Sequence, residues 1–297
     1  MQCSKCHRDA IIFQPYSGLH LCGQHVVADV EAKAKKVIRA QGWLRPGDHI
    51  AVLLTDDKNS SALLFFFKQL TVHRSDITVS AIIIAHGSDT PCETSRAKRI
   101  AEMLDTKLLV VSWPEESDIR NDTGSGKNQD CTSPPLLMAS RALLPDEVAQ
   151  QHGITKIAWG LCLDDAAGVV LESIIRGDGG KLVRGIFYQQ VPLRICPFIS
   201  VPAAEVSLYA TLCGYNDEQV PGPERGDDLH KDTVALLDNY TNNHPATKYA
   251  LLNLGENLAG FPKGIAGLIH ACECYGKCPQ GYCNNRSTEG EVKDGTY

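Results

Sequence analysis

The chain has 297 residues, 43% of them hydrophobic and 22% charged, with a formal net charge of −6 at neutral pH. That length suits one large α/β domain with small appendages. The acidic balance argues against a protein that grips nucleic acid by bulk electrostatics, leaving only a local basic patch for that role. No uncharged apolar run approaches the ~18 residues of a membrane helix. The opening MQCSKCHRDA lacks the apolar core of a secretory signal. A cytoplasmic location and no membrane partner are therefore expected. In a reducing compartment, twelve cysteines point to metal ligands rather than disulfides.

The first segment carries Cys3-x-x-Cys6 and Cys22-x-x-His25, separated by a stretch with Pro15 and Gly18. Two ligand pairs flanking a turn-rich stretch suit a tetrahedral zinc knuckle. His20 and His7 are alternatives to His25 as the fourth ligand. Residues 26–41 read as an amphipathic helix with a basic face of Lys33, Lys35, Lys36 and Arg39. That face is either solvated or turned toward a nucleic acid.

From residue 48 apolar runs alternate with helical stretches. Strands are predicted at 49–54, 78–85, 107–112 and 155–160, and helices at 60–70, 92–104, 137–152 and 165–176. Strands interleaved with helices imply βαβ units on a parallel sheet, with ligands at the carboxyl ends of the strands. Three segments fall there: Thr55–Ser60 (TDDKNS), 85–89 (AHGSD) and Gly160–Asp165 (GLCLDD). The first has the strand–turn–helix layout of a phosphate loop. Yet Asp56 and Asp57 stand where bare backbone should converge on an anion. These two aspartates are also natural helix caps. Asp164 and Asp165 suit either the N-terminus of the helix at 165–176 or a retained functional role. Together the four carboxylates offer a second route to phosphate, through a divalent cation.

Residues 114–135 and 214–232 are polar and rich in turn formers, so both read as long loops. Residues 233–260 read as helical with a break at Pro245. Cys272, Cys274, Cys278 and Cys283 lie within twelve residues, with glycines between them. They suit a second structural zinc site, an iron–sulfur cluster or a redox-active thiol group. Cys92, Cys162 and Cys196 read as buried, inert thiols.

In this order, the CxxC…CxxH knuckle, strand–turn–helix loop, Leu163-Asp164-Asp165, Arg176-Gly177-Asp178, the R-x-x-P-F segment from Arg194 and the terminal cysteine group resemble the two-zinc-finger tRNA 2-thiouridine synthetases of the PP-loop ATP-pyrophosphatase superfamily. The resemblance covers roughly residues 1–283. It implies a parallel-sheet, Rossmann-like PP-loop domain at 29–265, flanked by zinc knuckles at 1–28 and 266–285, with a disordered tail at 286–297. Two structural zinc ions follow, held by Cys3, Cys6, Cys22 and His25 and by Cys272, Cys274, Cys278 and Cys283. So does a reaction in which ATP adenylates a tRNA uridine before sulfur replaces its oxygen.

The family loop SGGKDS falls on Thr55–Ser60, where Lys58 and Ser60 match and both glycines and the acidic residue do not. The ATP site implied by the resemblance comprises Thr55, Lys58, Ser60, Gly87 and Gly160. The acidic turn argues against ATP–Mg there. The family segment GHNLDD falls on Gly160–Asp165 and keeps Asp164 and Asp165. Cysteines that hold an iron–sulfur cluster in catalytic members fall on Ser133, Leu136 and residues 218–220, which predicts that the cluster is absent. Cys131 and Cys213 are out of register.

With the metal-binding ends kept and two catalytic constellations altered, the pattern resembles the non-catalytic partner of the wobble-uridine thiolase. It implies a pseudoenzyme working beside an active thiolase paralogue or as a dimer with itself, with tRNA and a ubiquitin-like sulfur carrier as partners. The alternatives are an active sulfurtransferase with a divergent phosphate loop and a zinc-stabilised module that binds tRNA or the sulfur carrier.

Overall fold

The protein is described from a computed structural model, which covers residues 1–55, 57–86, 91–113, 146–184, 193–214 and 228–259. Asp56, Gly87, the loop at 114–135, Ser133, Leu136, residues 218–220, the cysteines at 272–283 and the tail all lie outside the described residues. In chain order the elements are β1 (Ile12–Gln14), β2 (Leu19–Leu21), α1 (Gly23–Gln41), β3 (His49–Leu53), α2 (Lys58–Thr71), β4 (Thr78–His86), α3 (Pro91–Met103) and β5 (Leu108–Trp113). They continue with α4 (Asp146–Gln151), β6 (Lys156–Ala158), α5 (Leu163–Ile175), α6 (Gly179–Arg184), β7 (Leu193–Ile195), α7 (Ala203–Leu212), α8 (Asp228–Asn243) and α9 (Thr247–Ala259).

Five strands form one sheet in the order β5-β4-β3-β6-β7, and every pairing is parallel. Strands buried on both faces need continuous apolar runs, and β3 supplies one. Ile50 and Val52 enter the core shared with α1, α2, α3 and α7. Ala51, between them, enters the core built with α4, α5 and α9. The result is a sheet between two helical layers. The chain starts at the centre with β3, builds outward through β4 and β5, then returns to β6 on the other side. The order therefore reverses between β3 and β6, which opens a crevice at their carboxyl ends.

The expected break in the last helical stretch is present, with α8 ending at Asn243 and α9 starting at Thr247. Strand β6 is shorter than its apolar run, although Trp159 N–H still bonds Ile195 C=O at 2.9 Å. The sequence pattern does not predict the ribbon β1–β2 or strand β7. Each of these strands has three residues, too few to show a period. Helix α8 starts at Asp228, inside the segment 214–232 that reads as a loop.

At the amino ends of the strands lies a buried ion pair. Asp48 accepts from the Lys156 ammonium, from Thr155 Oγ1 at 3.0 Å and from Arg45 N–H at 2.6 Å. Both charged side chains are 7% exposed. Burial alone would raise the Asp48 carboxyl, but Lys156 and these other donors hold it below the ordinary aspartate value. A carboxyl depressed in this way contributes stability above its unfolded value, and the contribution disappears as acid protonates the folded form.

Asp48→Ala strands the Lys156 charge and is expected to cost about 3–5 kcal/mol, read by urea unfolding at neutral pH. The double variant Asp48→Ala/Lys156→Met is expected to recover most of that loss. The wild-type advantage should fade below about pH 4.

Candidate functional site

The carboxyl end of β3 leads through Leu54 and Thr55 into α2. Asp57 is the N-cap of that helix, with extended backbone, and its Oδ1 accepts from Ser60 N–H at 2.8 Å. Its Oδ2 accepts from Thr55 Oγ1 at 2.9 Å. The Ser60 hydroxyl is turned inward: it accepts Thr55 N–H at 3.1 Å and donates toward Asp57 C=O at 3.1 Å. The loop is thus closed upon itself. A helix N-terminus attracts an anion through free N–H groups and its dipole, and here the protein's own carboxylate sits there. The Lys58 side chain, at the first helical position, makes no hydrogen bond or ion pair with another described residue.

Across the crevice, Gly160 marks the closest approach. A Cβ placed on it would lie 2.8 Å from both Asn59 C and Ser60 N. The backbone after β6 therefore presses on the first turn of α2, and only a residue without a side chain fits. Cys162 then caps α5. Asp165 Oδ2 accepts from Cys162 N–H at 2.8 Å and from its thiol at 3.0 Å, completing a capping box. Burial, and after it the nearby Asp57 and Asp164 carboxylates, push the Asp165 carboxyl up. Burial also raises the Cys162 and Cys196 thiols, as suits inert residues.

Asp164 serves a different helix. Its Oδ2 accepts from Ala203 N–H, at the start of α7, at 2.7 Å, and its Oδ1 accepts from the Lys248 ammonium of α9. Lys248 also reaches Asp238 at 2.7 Å. No local motif in the sequence marks Lys248. Asp57, Asp164 and Asp165 thus converge at the strand ends, and each already has a partner.

The second cluster is at the amino end. Cys3 and Cys6 lie on a turn, Cys22 is the N-cap of α1, and His25 falls in that helix's first turn. Their donor atoms all lie within 4.8 Å of one another. Cys3 Sγ and Cys22 Sγ are each 3.3 Å from His25 Nδ1, and Cys6 Sγ is 3.7 Å from Cys22 Sγ. A tetrahedral zinc with ordinary bond lengths places sulfurs about 3.8 Å apart and sulfur and nitrogen about 3.5 Å apart. The donor set fits zinc. His25 takes the fourth place, while His20 stacks on Phe13 with ring centres 4.6 Å apart. Among the described residues this is the one group of three or more candidate ligands so arranged.

Half of the basic face of α1 is tied down. Lys33 bonds Asp29 and Glu205, and Lys35 bonds Glu31. Lys36 and Arg39 are exposed.

Residues 2–25 match the family described as 2-thiouridine synthetase TtuA, N-terminal LIM domain. The mouse protein named Cytoplasmic tRNA 2-thiolation protein 1 is 29% identical over 280 residues, which are 88% of this chain and 65% of that protein. The tRNA 2-thiolation protein NcsA of Haloferax volcanii is 27% identical over 281 residues, 87% of each. Along most of its length this chain is similar to tRNA 2-thiolation proteins. Its fold also matches the solved structure of the U34-tRNA thiolase NcsA from Methanococcus maripaludis, which has a 4Fe-4S cluster. The TM-score is 0.73 over 88% of each chain, at 22% identity. Among the described residues, no helix of this chain is long and apolar enough to cross a membrane.

Gly160→Ala is expected to destabilise the fold by about 1–3 kcal/mol, since backbone cannot yield as a flexible side chain would. Thermal unfolding measures the loss, and faster amide exchange at Asn59–Ser61 locates it.

Proposed function

We propose that this chain takes part in tRNA thio-modification as a catalytically impaired subunit or regulator of an active thiolase paralogue. The observation that carries this reading is the Asp57 carboxylate seated on Ser60 N–H at 2.8 Å, where a phosphate would have to sit. Asp164 and Asp165 add negative charge nearby, and Lys248 is already paired with Asp164. The similarity to tRNA 2-thiolation proteins runs along most of the chain and supplies the pathway. On this reading Thr55, Ser60 and Gly160 keep the loop's architecture rather than hold a nucleotide.

The chain works in the cytoplasm, with tRNA as its main partner. Its protein partner is the active paralogue or a second copy of the chain, and a ubiquitin-like sulfur carrier is a further partner. Cys3, Cys6, Cys22 and His25 hold structural zinc. The proposal extends to a second zinc at Cys272, Cys274, Cys278 and Cys283, and to the division of the chain at 28, 265 and 285. Ser133, Leu136 and residues 218–220 replace the family's cluster cysteines, so no iron–sulfur cluster belongs to the scheme.

Lys58 favours a second reading. It offers an ammonium with no partner among the described residues at the mouth of the crevice, as an active ATP-dependent tRNA sulfurtransferase would. The two readings part on nucleotide binding. Calorimetric titration with ATP–Mg is expected to show no saturable binding to the wild type. Asp56→Gly/Asp57→Gly is expected to bring binding into the measurable range, at least about tenfold tighter, as removal of like charge beside a bound phosphate allows. Micromolar ATP binding by the wild type, with thiolated tRNA formed by the isolated chain, would select the active enzyme instead.

A further inference from the structure

Two helices join the amino-terminal knuckle to the head of the sheet. Tyr16, between β1 and β2, donates its hydroxyl to Glu205 Oε1 in the first turn of α7. Glu205 is 2% exposed. Lys33 of α1 closes the circuit: its ammonium lies 2.8 Å from Glu205 Oε2 and 2.8 Å from Asp29 Oδ2, and it also donates to the Tyr16 oxygen. Asp29 accepts in turn from Gln14 Nε2 of β1 at 3.0 Å. The Tyr16 ring packs on Tyr249 of α9, with centres 5.1 Å apart.

The neighbours of these residues point at the other site. Two positions before Glu205, Ala203 N–H binds Asp164; one position before Tyr249, Lys248 binds the same carboxylate. So α7 and α9 each touch the knuckle with one residue and Asp164 with another close by. A buried glutamate keeps its place only while its donors are present, because an uncompensated buried charge is strongly unfavourable. The knuckle's two strands have three residues each and it gives the shared core only Cys3, Leu21 and Cys22 as buried apolar residues, so a bound ion supplies much of the order of its turns. Tyr16 and Gln14 are therefore in position only while the ligand cluster is closed.

We infer that metal occupancy at Cys3, Cys6, Cys22 and His25 is coupled, through Tyr16 and Glu205, to the order of the first turn of α7 and of Asp164, so that the head of the sheet loosens when the knuckle loses its ion. The inference rests on the reading of the four residues as a metal site, and not on whether the loop at Thr55–Ser60 takes ATP.

Amide hydrogen exchange on the full chain, with metal content measured alongside, tests the coupling. Cys6→Ser breaks the amino-terminal cluster and leaves the cysteines at 272–283 untouched. It is expected to quicken exchange by at least about tenfold in residues 1–22, and by a similar factor at Ala203–Val206 and Cys162–Ala166. Tyr16→Phe is expected to keep its metal and a slowly exchanging knuckle, yet to quicken Ala203–Val206. The inference is overturned if Cys6→Ser affects residues 1–22 alone. It is equally overturned if metal-loaded Tyr16→Phe exchanges at Ala203–Val206 like the wild type; where Cys6→Ser does not fold, that comparison decides. A wild type that carries no metal defeats the ligand reading itself, and the metal analysis registers that separately.

Discussion

One contact governs the functional reading: a carboxylate of the protein's own, on Asp57, caps the helix that opens the crevice. The first turn of any helix leaves N–H groups without internal partners and carries a partial positive charge. A phosphate-binding loop leaves those groups free for the ligand. Here the Ser60 N–H, the third of α2, goes to Asp57 Oδ1, and the Ser60 hydroxyl goes to the backbone of the same turn. Such a cap contributes about 1 kcal/mol to the fold. What stabilises α2 is then in direct competition with what would bind a nucleotide.

The rest of the crevice follows from the same economy of charge. Its retained aspartates are structural members. Asp165 closes the α5 capping box, and Asp164 ties α7 and α9 together. Gly160 is fixed by the approach of two backbones. Motif letters of this kind can therefore be required by the scaffold, whatever else they do. The amino-terminal knuckle is integrated in a similar way. Cys3, Leu21 and Cys22 belong to the same apolar core as α1, α2 and α7.

Much of this is legible in the amino-acid sequence. The runs at 49–54, 78–85 and 107–112 are continuous and apolar, and each follows or precedes a long helical period, so a parallel sheet can be read directly. The Cys/His spacing brings its four donors together because the second pair straddles a helix start, which places Cys22 and His25 on one side. Strand β7 is not legible: Leu193–Ile195 is a strand only because β6 presents an open edge to it. Helix α2 begins at Lys58 rather than at residue 60 because Asp57 caps it. The Tyr16–Lys33–Glu205 circuit joins residues up to 189 positions apart, and no local pattern announces such a contact. For the same reason Lys33, expected on a solvent or tRNA face, is instead enclosed by carboxylates.

The most direct measurement follows the Ser60 amide itself. In a nitrogen–proton correlation spectrum of the wild type, added pyrophosphate should leave the Ser60 resonance in place, because its hydrogen is already held by Asp57. A saturable shift of that resonance, accompanied by those of Lys58 and Asn59, would show the anion displacing the carboxylate and would contradict the account.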